Sequence, residues 1–322
     1  MLYNPYFLLN RPYFSSMDTL SYILDSIKLK GVVYQKTHFT KPWGVAVAQD
    51  DNSQFWRVLK GSCYIKIPGR RIIKVNEGDF VFVPHGSGHL ISGEPNSICV
   101  PSAQYVASLR SGKPMFLNGD RQHETILIGG HFEFTDANRH PFFKSLPDVI
   151  RLDNKQMALS TWMQNVGAFM NEELVANRAG ANIILGRLAE IIFILIIRAY
   201  LQQANIKKGV LLAVKHPRIS ASLQIMHQQY EKDFKLQHLA QQVGMSRSLY
   251  CKVFKNLVGE TPLAYLTGWR VLRAQQLLTE SNDNISVIAA KVGYQSEAAF
   301  NRVFKATTGH TPARFRRSVA NS

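Results

Sequence analysis

The chain has 322 residues, of which 46% are hydrophobic and 19% are charged. This length allows two domains, and this composition is that of a globular protein with enough apolar material for packed cores, which excludes a disordered chain. The net charge is +16, and residues 215–322 alone hold 15 Lys and Arg against 6 Asp and Glu. Such a basic excess favours a polyanionic partner, either nucleic acid or an anionic membrane surface.

The cysteines and the apolar stretches exclude several classes of protein. Cys63, Cys99 and Cys251 are far apart, odd in number and without a C-x-x-C pair, which argues against a disulfide scaffold or a structural zinc site. No secretory signal is evident, and the most apolar stretch, 181–201, has charged residues inside it and an uninterrupted apolar run of only 191–197. We therefore expect a cytoplasmic protein without a membrane partner.

Short β-rich runs alternate with turns from about residue 31 to residue 134. Glycine, proline and asparagine separate these runs, as they do between strands. Many short strands at this spacing predict a sandwich or a small barrel. The predicted strand segments are 45–48, 55–59, 63–67, 72–75, 80–83 and 125–128.

One turn of this region carries a recognisable motif. Gly78, Pro84, Gly86 and His89 have the spacing G-x5-P-x-G-x2-H, which resembles the second motif of the cupin barrels. The resemblance implies a barrel in which His89 would be a metal ligand if the domain bound a metal. The first cupin motif should supply a glutamate and two histidines, but this chain has Gln54 at the glutamate position and no histidine at the other two.

This deviation predicts a domain without metal or other cofactor, because one ligand does not hold zinc or iron. His89, Gln54 and His131 are then candidates for contact with an organic ligand. A metal site that recruits His123 or His131 is the alternative, and it would favour a metal-dependent cupin enzyme with a DNA-tethering domain. Cys63 and Cys99 could sense oxidants, although buried inert cysteine is the usual case.

Residues 155–205 are predicted to be helical. Leu185, Leu188, Ile192 and Leu195 form a stripe, but the segment around Ile194 is apolar on nearly every side. Such a helix must be covered by other parts of the chain or by a second subunit. We predict a homodimer interface here, with an intrachain core as the alternative.

Two segments of the last third repeat each other. One spans residues 239–262 and the other spans residues 288–312, with an offset of 49 up to Gly244 and Gly293 and of 50 after them. Each copy has apolar residues at helical spacing on both sides of its glycine. Each also has a serine that can cap the second helix and a Thr-Pro pair that can begin the next one. Two helices joined by a short turn with glycine form a helix-turn-helix unit.

The outward faces of the repeated helices indicate what they bind. The side chains there are small, polar or basic, which suits the reading of bases in a major groove, whereas a plain helical bundle is the alternative. A helix over 262–278 would be ~26 Å long and could hold two reading helices about one turn of DNA apart. Arg270 on this helix is a candidate for a phosphate or intradomain contact. The outward residues are Arg247, Ser248, Cys251, Lys252 and Lys255 in the first copy, and Glu297, Ala298, Asn301, Arg302 and Lys305 in the second.

The last ~100 residues resemble the DNA-binding domain of the AraC/XylS family of bacterial transcription regulators. The matching segments include Val243-Gly244-Met245-Ser246, Gly259-Glu260-Thr261-Pro262, Trp269-Arg270, Val292-Gly293-Tyr294 and Phe304-Lys305. The resemblance implies base contacts by Ser248, Cys251 and Lys252 in the first copy and by Ala298, Asn301 and Arg302 in the second. Arg302 is the best candidate for reading a guanine.

The order of parts resembles a subgroup of that family in which a cupin barrel senses a small molecule or stress. The implied fold is α+β and multidomain, with a cupin-like jelly-roll barrel, a helical dimerisation and linker segment, and an all-α domain with two helix-turn-helix units. The expected boundaries are 17–150, 151–212 and 213–322, after an extension at 1–16 that does not fit this plan and that we expect to be disordered. The implied function is an effector-modulated activator that binds double-stranded DNA and RNA polymerase as a homodimer. A constitutive architectural DNA binder is a further alternative.

Overall fold

A computed structural model describes most of the chain, and the described residues fall into two compact units. The described ranges are 18–27, 29–111, 113, 115–117, 120–134, 141–154, 161–176, 178–202, 206 and 209–320. One unit comprises residues 27–207, and the other comprises residues 208–322 together with residues 1–26. The predicted extension at 1–16 lies outside the described residues.

The first unit is built on two five-stranded sheets. One sheet has the order β1-β9-β3-β6-β10, and the other has the order β5-β4-β7-β2-β8. The strands are β1 (Lys30–Lys41), β2 (Gly44–Val47), β3 (Ser53–Lys60), β4 (Ser62–Lys66), β5 (Ile73–Asn76), β6 (Phe80–Val83), β7 (His89–Ser92), β8 (Val100–Pro101), β9 (Asp120–Glu133) and β10 (Ile150–Leu152). Helices α2 (Ser102–Arg110), α3 (Pro141–Lys144), α4 (Thr161–Ala176) and α5 (Ala181–Gln202) belong to the same unit.

The closed barrel expected from the sequence is not formed by the described strands. β3 and β4 follow each other along the chain, yet they belong to different sheets, because the chain crosses from one layer to the other at Lys60–Gly61 instead of pairing back. The result is a sandwich of two sheets with an apolar core between them. That core includes Val58 and Leu127 from one sheet and Val45, Ile65 and Ile91 from the other.

Helix α5 packs on the outer face of the first sheet. The Phe193 ring on α5 lies 5.2 Å from the Phe132 ring of β9 and 5.7 Å from the Phe82 ring of β6. Aromatic pairs at such spacing contribute beyond their buried area. This face of the predicted dimer helix is therefore part of the intrachain core.

The second unit is helical. Its helices are α1 (Thr19–Ile27), α6 (Val210–Lys215), α7 (Pro217–Gln228), α8 (Leu236–Gln242), α9 (Arg247–Val258), α10 (Pro262–Glu280), α11 (Ile285–Lys291), α12 (Glu297–Thr308) and α13 (Pro312–Ala320). Phe300, Phe304 and Phe315 form the core of its last part together with Val271 and Ile288.

Helix α1 packs on α7 and α10, far along the chain from its own position. The hydroxyl of Thr19 donates a hydrogen bond of 3.0 Å to the Ser220 carbonyl, and Nε2 of Gln276 donates one of 2.7 Å to the Ser26 carbonyl. Ile23 between them is fully buried. The sequence-based boundary placed this helix in the 17–150 domain, and the structure differs because the apolar side of α1 is buried within the helical unit.

Candidate functional site

Two helix pairs in the second unit have the local geometry expected from the repeat. Helices α8 and α9 are joined by residues 243–246, and helices α11 and α12 are joined by residues 292–296. Gly244 and Gly293 have φ values of 66° and 84°, which side chains other than glycine adopt with strain. The hydroxyl of Ser246 accepts a hydrogen bond from the Leu249 amide at 3.3 Å, and that of Ser296 accepts one from the Ala299 amide at 3.2 Å. The predicted turns and caps are confirmed.

The second helix of each pair is buried on one side and polar on the other. Tyr250 and Phe254 of α9 are fully buried, as are Phe300 and Phe304 of α12. The opposite faces carry the predicted DNA-contacting side chains, which are exposed apart from half-buried Cys251 and Asn301. These faces hold Arg247, Ser248, Cys251, Lys252 and Lys255 on α9, and Glu297, Ala298, Asn301, Arg302 and Lys305 on α12.

Helix α10 connects the two pairs and has 19 residues, so it is ~28 Å long at 1.5 Å per residue. The Thr261 hydroxyl caps it by accepting a hydrogen bond from the Ala264 amide at 3.3 Å, and Pro262 occupies its first turn, as predicted. Inside the unit, the Trp269 ring stacks on the His227 ring at 3.8 Å. The connecting helix is thus an internal support between the two pairs.

Arg270 differs from the other candidates because its guanidinium is bound within the unit. Its Nε donates to the Tyr230 carbonyl at 2.6 Å, and its Nη2 donates to the Lys232 carbonyl at 2.7 Å. The guanidinium also lies over the Tyr294 ring at 5.7 Å, and burial lowers the pKa of Arg270. These contacts favour the intradomain alternative that the sequence left open for this residue.

A second arginine supports the first turn and was missed by the sequence analysis. Nη1 of Arg218 donates a hydrogen bond of 3.1 Å to the Gly244 carbonyl. Arg218 lies 26 residues before this glycine, outside the repeated segments. No sequence signal pointed to Arg218, because a hydrogen bond from a side chain to a distant backbone carbonyl leaves no pattern in the sequence.

The three ligand candidates of the first unit lie close to one interior cavity. Gln54 of β3 is directly opposite His131 of β9, so both side chains lie on the same face of the sheet. Gln54 lines a cavity of about 550 Å³ between the two sheets. Nε2 of His89 accepts a hydrogen bond of 2.9 Å from the Trp56 indole, and Nδ1 of His131 lies 2.8 Å from the Tyr34 hydroxyl.

His89 and His131 reach the cavity only through these partners, because Trp56 and Tyr34 line it and the two histidines do not. Trp56, Tyr34 and helix α2 also line the cavity and were not predicted from the sequence. The strand alternation could have found Trp56, since it lies two residues after Gln54 and therefore on the same face.

The cysteine thiols of the first unit do not ionise readily. Cys63 is fully buried, and burial together with the nearby Asp79 raises the pKa of its thiol to about 12. Partial burial raises the pKa of the Cys99 thiol as well. Because the thiolate is the reactive form, these shifts disfavour reaction of either thiol with an oxidant.

The described part of the chain contains neither a metal-binding cluster nor a membrane-spanning helix. No three His, Cys, Asp or Glu residues among them come close enough together to hold a metal ion. No helix in the described part of the chain has the length and hydropathy needed to cross a membrane.

The chain thus combines a unit of two packed sheets with a basic helical unit that has two capped, outward-facing helices. This is the architecture of a DNA-binding regulator. Residues 18–202 match the Cupin family, and residues 239–318 match the Helix-turn-helix domain family. The chain is 30% identical to the HTH-type transcriptional regulator AlkR of Acinetobacter baylyi, over 93% of this chain and 99% of that protein.

The chain is also similar to a second curated relative and to one solved structure. The RCS-specific HTH-type transcriptional activator RclR of Escherichia coli is 25% identical over 94% of this chain and 98% of its own length. A solved AraC-type transcriptional regulator from Chromobacterium violaceum is 27% identical, with a TM-score of 0.32, over 34% of this chain and 96% of that one. The chain belongs to the AraC-type family of helix-turn-helix transcriptional regulators with an amino-terminal cupin domain. Its function is DNA-binding regulation of transcription and not catalysis.

Proposed function

We propose that both helix pairs act as helix-turn-helix units and place α9 and α12 in successive major grooves of one DNA duplex. The observation that carries this proposal is the matched pair of polar, outward-facing helices, each fixed by two buried aromatic residues beneath it. Helix α10 supports the proposal. It is ~28 Å long, and half a helix-turn-helix unit at each of its ends brings the distance between the two reading helices close to the ~34 Å of one DNA turn.

The two helices offer different chemistry to the bases. On α12, Asn301 suits adenine and the exposed Arg302 suits guanine. On α9, Ser248 and Lys252 are exposed, and Cys251 is half-buried. We assign base contacts to these side chains, and phosphate contacts to Arg247, Lys255 and Lys305.

This proposal predicts a bipartite DNA site. Selection of bound sequences from a random pool by the full-length protein should give two short elements about one helical turn apart. Insertion of five base pairs between the elements should reduce binding strongly, because the second element moves to the opposite side of the duplex. Footprints on the selected site and on the variant with the five-base-pair insertion measure the loss of binding.

A ten-base-pair insertion is the matched control, since it restores the side of the duplex but doubles the distance between the elements. A rigid α10 cannot span that distance, so binding should fall with this insertion too. Full binding to the ten-base-pair variant would contradict a single rigid reader, and binding indifferent to sequence would indicate an architectural DNA binder.

We further propose that the cupin domain modulates DNA binding through a small-molecule effector, and that the regulator activates transcription through contact with RNA polymerase. The interior cavity supports the first part, since it is of a size that binds small molecules. For the functional parts of the chain we propose a sensor at 17–150, a helical segment at 151–212 and a DNA-binding domain at 213–322, with α1 packed on the last of these. Strand β10 extends the sensor sheet to Leu152.

We also propose that α4 and α5 form a homodimer interface. On α5, Ile184 and Ile191 are 44% and 42% exposed and lie seven residues apart, so they share one outer face. On α4, Phe169 and Val175 are 60% and 67% exposed. Exposed apolar residues on two helices that pack against each other are typical of an association surface, and a second copy of the same helices can cover them symmetrically.

The double variant Ile184→Asp with Ile191→Asp should be monomeric, because two buried carboxylates in an apolar dimer interface have no partner. The molar mass from light scattering during size-exclusion chromatography measures this. Ile98→Asp is the matched control, since Ile98 is 90% exposed in a loop and its replacement should leave the mass unchanged. A wild-type chain that is monomeric at micromolar concentration would argue against the dimer.

A further inference from the structure

The cavity between the two sheets has mostly apolar walls. Strands β1, β3 and β9 form one wall, strands β2 and β7 form the other, and residues of α2 line it as well. Its volume of about 550 Å³ is within the range of small-molecule sites. The apolar and aromatic wall residues include Phe39, Val45, Val47, Trp56, Tyr105 and Leu127.

One polar side chain in this wall has an unsatisfied group. Gln54 is 5% exposed, and its Oε1 has no hydrogen-bond partner in the described chain. A buried amide oxygen without a partner is unfavourable, so a bound molecule that supplies the missing partner is favoured. The neighbouring polar groups are occupied, because the Trp56 indole donates to His89, and both ring nitrogens of His131 have partners.

The position of Trp56 is fixed from two sides. A Cβ at Gly129 would lie 2.4 Å from the indole ring, so this strand position has to be glycine for the ring to pack against β9. On the other side His89 accepts the indole hydrogen, and Nδ1 of His89 is 3.0 Å from the Ser87 carbonyl, to which it donates. Burial lowers the pKa of His89, which keeps the ring neutral and its Nε2 able to accept. The result is a rigid aromatic wall beside the Gln54 amide.

The charges around the cavity select against ions. The charged lining residues are Asp50 and Arg110, which are exposed, and the interior walls carry none among the residues that form the cavity. Away from these two exposed residues, an ionised group would lose its hydration without a partner of opposite charge. A neutral ligand is therefore favoured.

From these observations we infer that the cavity binds a neutral aromatic alcohol, whose rings pack against Trp56 and Phe39 and whose hydroxyl is bound by the Gln54 amide. A hydroxyl fits because it can donate a hydrogen bond to the unpaired Oε1 of Gln54, which an ether or a carboxylate cannot do. That this ligand is the effector rests on the proposed function, whereas its binding does not.

Three probes with the same two rings test the inference on the full-length protein by isothermal titration calorimetry. The neutral alcohol 2-naphthol should bind at one site per chain, and 2-methoxynaphthalene, which cannot donate, should bind about tenfold more weakly, the factor that one hydrogen bond supplies. The anion 2-naphthoate should bind weakest of the three.

The variant Gln54→Leu should lose about tenfold in affinity for 2-naphthol and should no longer distinguish it from 2-methoxynaphthalene. Gln49→Leu is the matched control, because Gln49 lines the exposed rim of the same cavity and its replacement should keep the wild-type ranking. The ranking of the three probes on the wild-type chain decides the inference even if Gln54→Leu does not fold. Equal binding of the two neutral probes, tightest binding of the anion, or no binding of any probe overturns it.

A footprint on the selected DNA with and without 2-naphthol separates this inference from the proposed function. Binding of 2-naphthol without any change in the footprint keeps the ligand assignment and removes 2-naphthol as an effector. A sequence-specific footprint together with failure of all three probes keeps the DNA-binding function and removes the ligand assignment.

Discussion

Phe304→Ala is expected to destabilise the helical unit by about 3–5 kcal/mol and to abolish specific DNA binding. Phe304 is fully buried on α12, where its ring lies 5.5 Å from that of Phe300 and 5.7 Å from that of Phe315. Its removal leaves a cavity where α12 packs against α13, and the loss is a large share of the usual 5–15 kcal/mol stability of a domain. Urea unfolding followed by circular dichroism measures the change.

Val303→Ala is the matched control on the same helix. Val303 is only partly buried at the edge of the same core, so its truncation should cost about 1 kcal/mol and leave DNA binding measurable. If Phe304→Ala unfolded at the wild-type urea concentration, the packing of α12 on this core would be wrong. A loss of DNA binding without a loss of stability would also contradict the explanation.

Most of the helical unit could be predicted from the sequence because its signals are local. A helix end, a serine cap and a Thr-Pro start each depend on a few adjacent residues, and the duplication presents them twice. The predicted turns at Gly244 and Gly293 are confirmed for this reason. The end of α10 was placed at residue 278 and lies at Glu280, a small error that is usual at helix ends.

The layered arrangement of the first unit was harder to predict. Six of the ten described strands were found as β-rich runs between turns, whereas β1 (Lys30–Lys41), β7, β8 and β10 were not. β1 is at the edge of its sheet and mixes polar with apolar residues, and β8 and β10 have only two and three residues. Whether strands close into a barrel or divide into two sheets depends on pairing between distant segments, which alternation does not encode. The contacts of α1 with Ser220 and Gln276 are likewise separated by 200 residues or more.

The candidate site residues also divide into those that local sequence patterns predict and those that depend on distant contacts. The polar face of α12 follows from helical spacing alone, so the side chains predicted to face outward are exposed or half-buried. For Arg270 the spacing indicated only that the residue is on α10, and the two carbonyls that hold it belong to the segment after α7. Gln54 was singled out because it replaces an expected glutamate, but the cavity beside it depends on the packing of both sheets and α2.

Arg302→Ala is expected to weaken binding to the selected DNA site by about 1–3 kcal/mol and to relax the preference at a single base pair. The Arg302 side chain is exposed on α12, where its guanidinium can form a bidentate contact with the O6 and N7 atoms of a guanine. Affinities of wild type and variant for the site and for its single-base substitutions, measured at one salt concentration, give both quantities.

Lys305→Ala is the matched control, since Lys305 is exposed on the same helix one turn further on and should contact a phosphate. Its loss should weaken binding to all sequences about equally and lower the salt dependence by about one unit of slope, without changing any base preference. If Arg302→Ala behaved as Lys305→Ala does, Arg302 would be a phosphate contact. Base reading by α12 would then rest on Asn301, and the specificity of the protein would depend more heavily on Ser248 and Lys252 of α9.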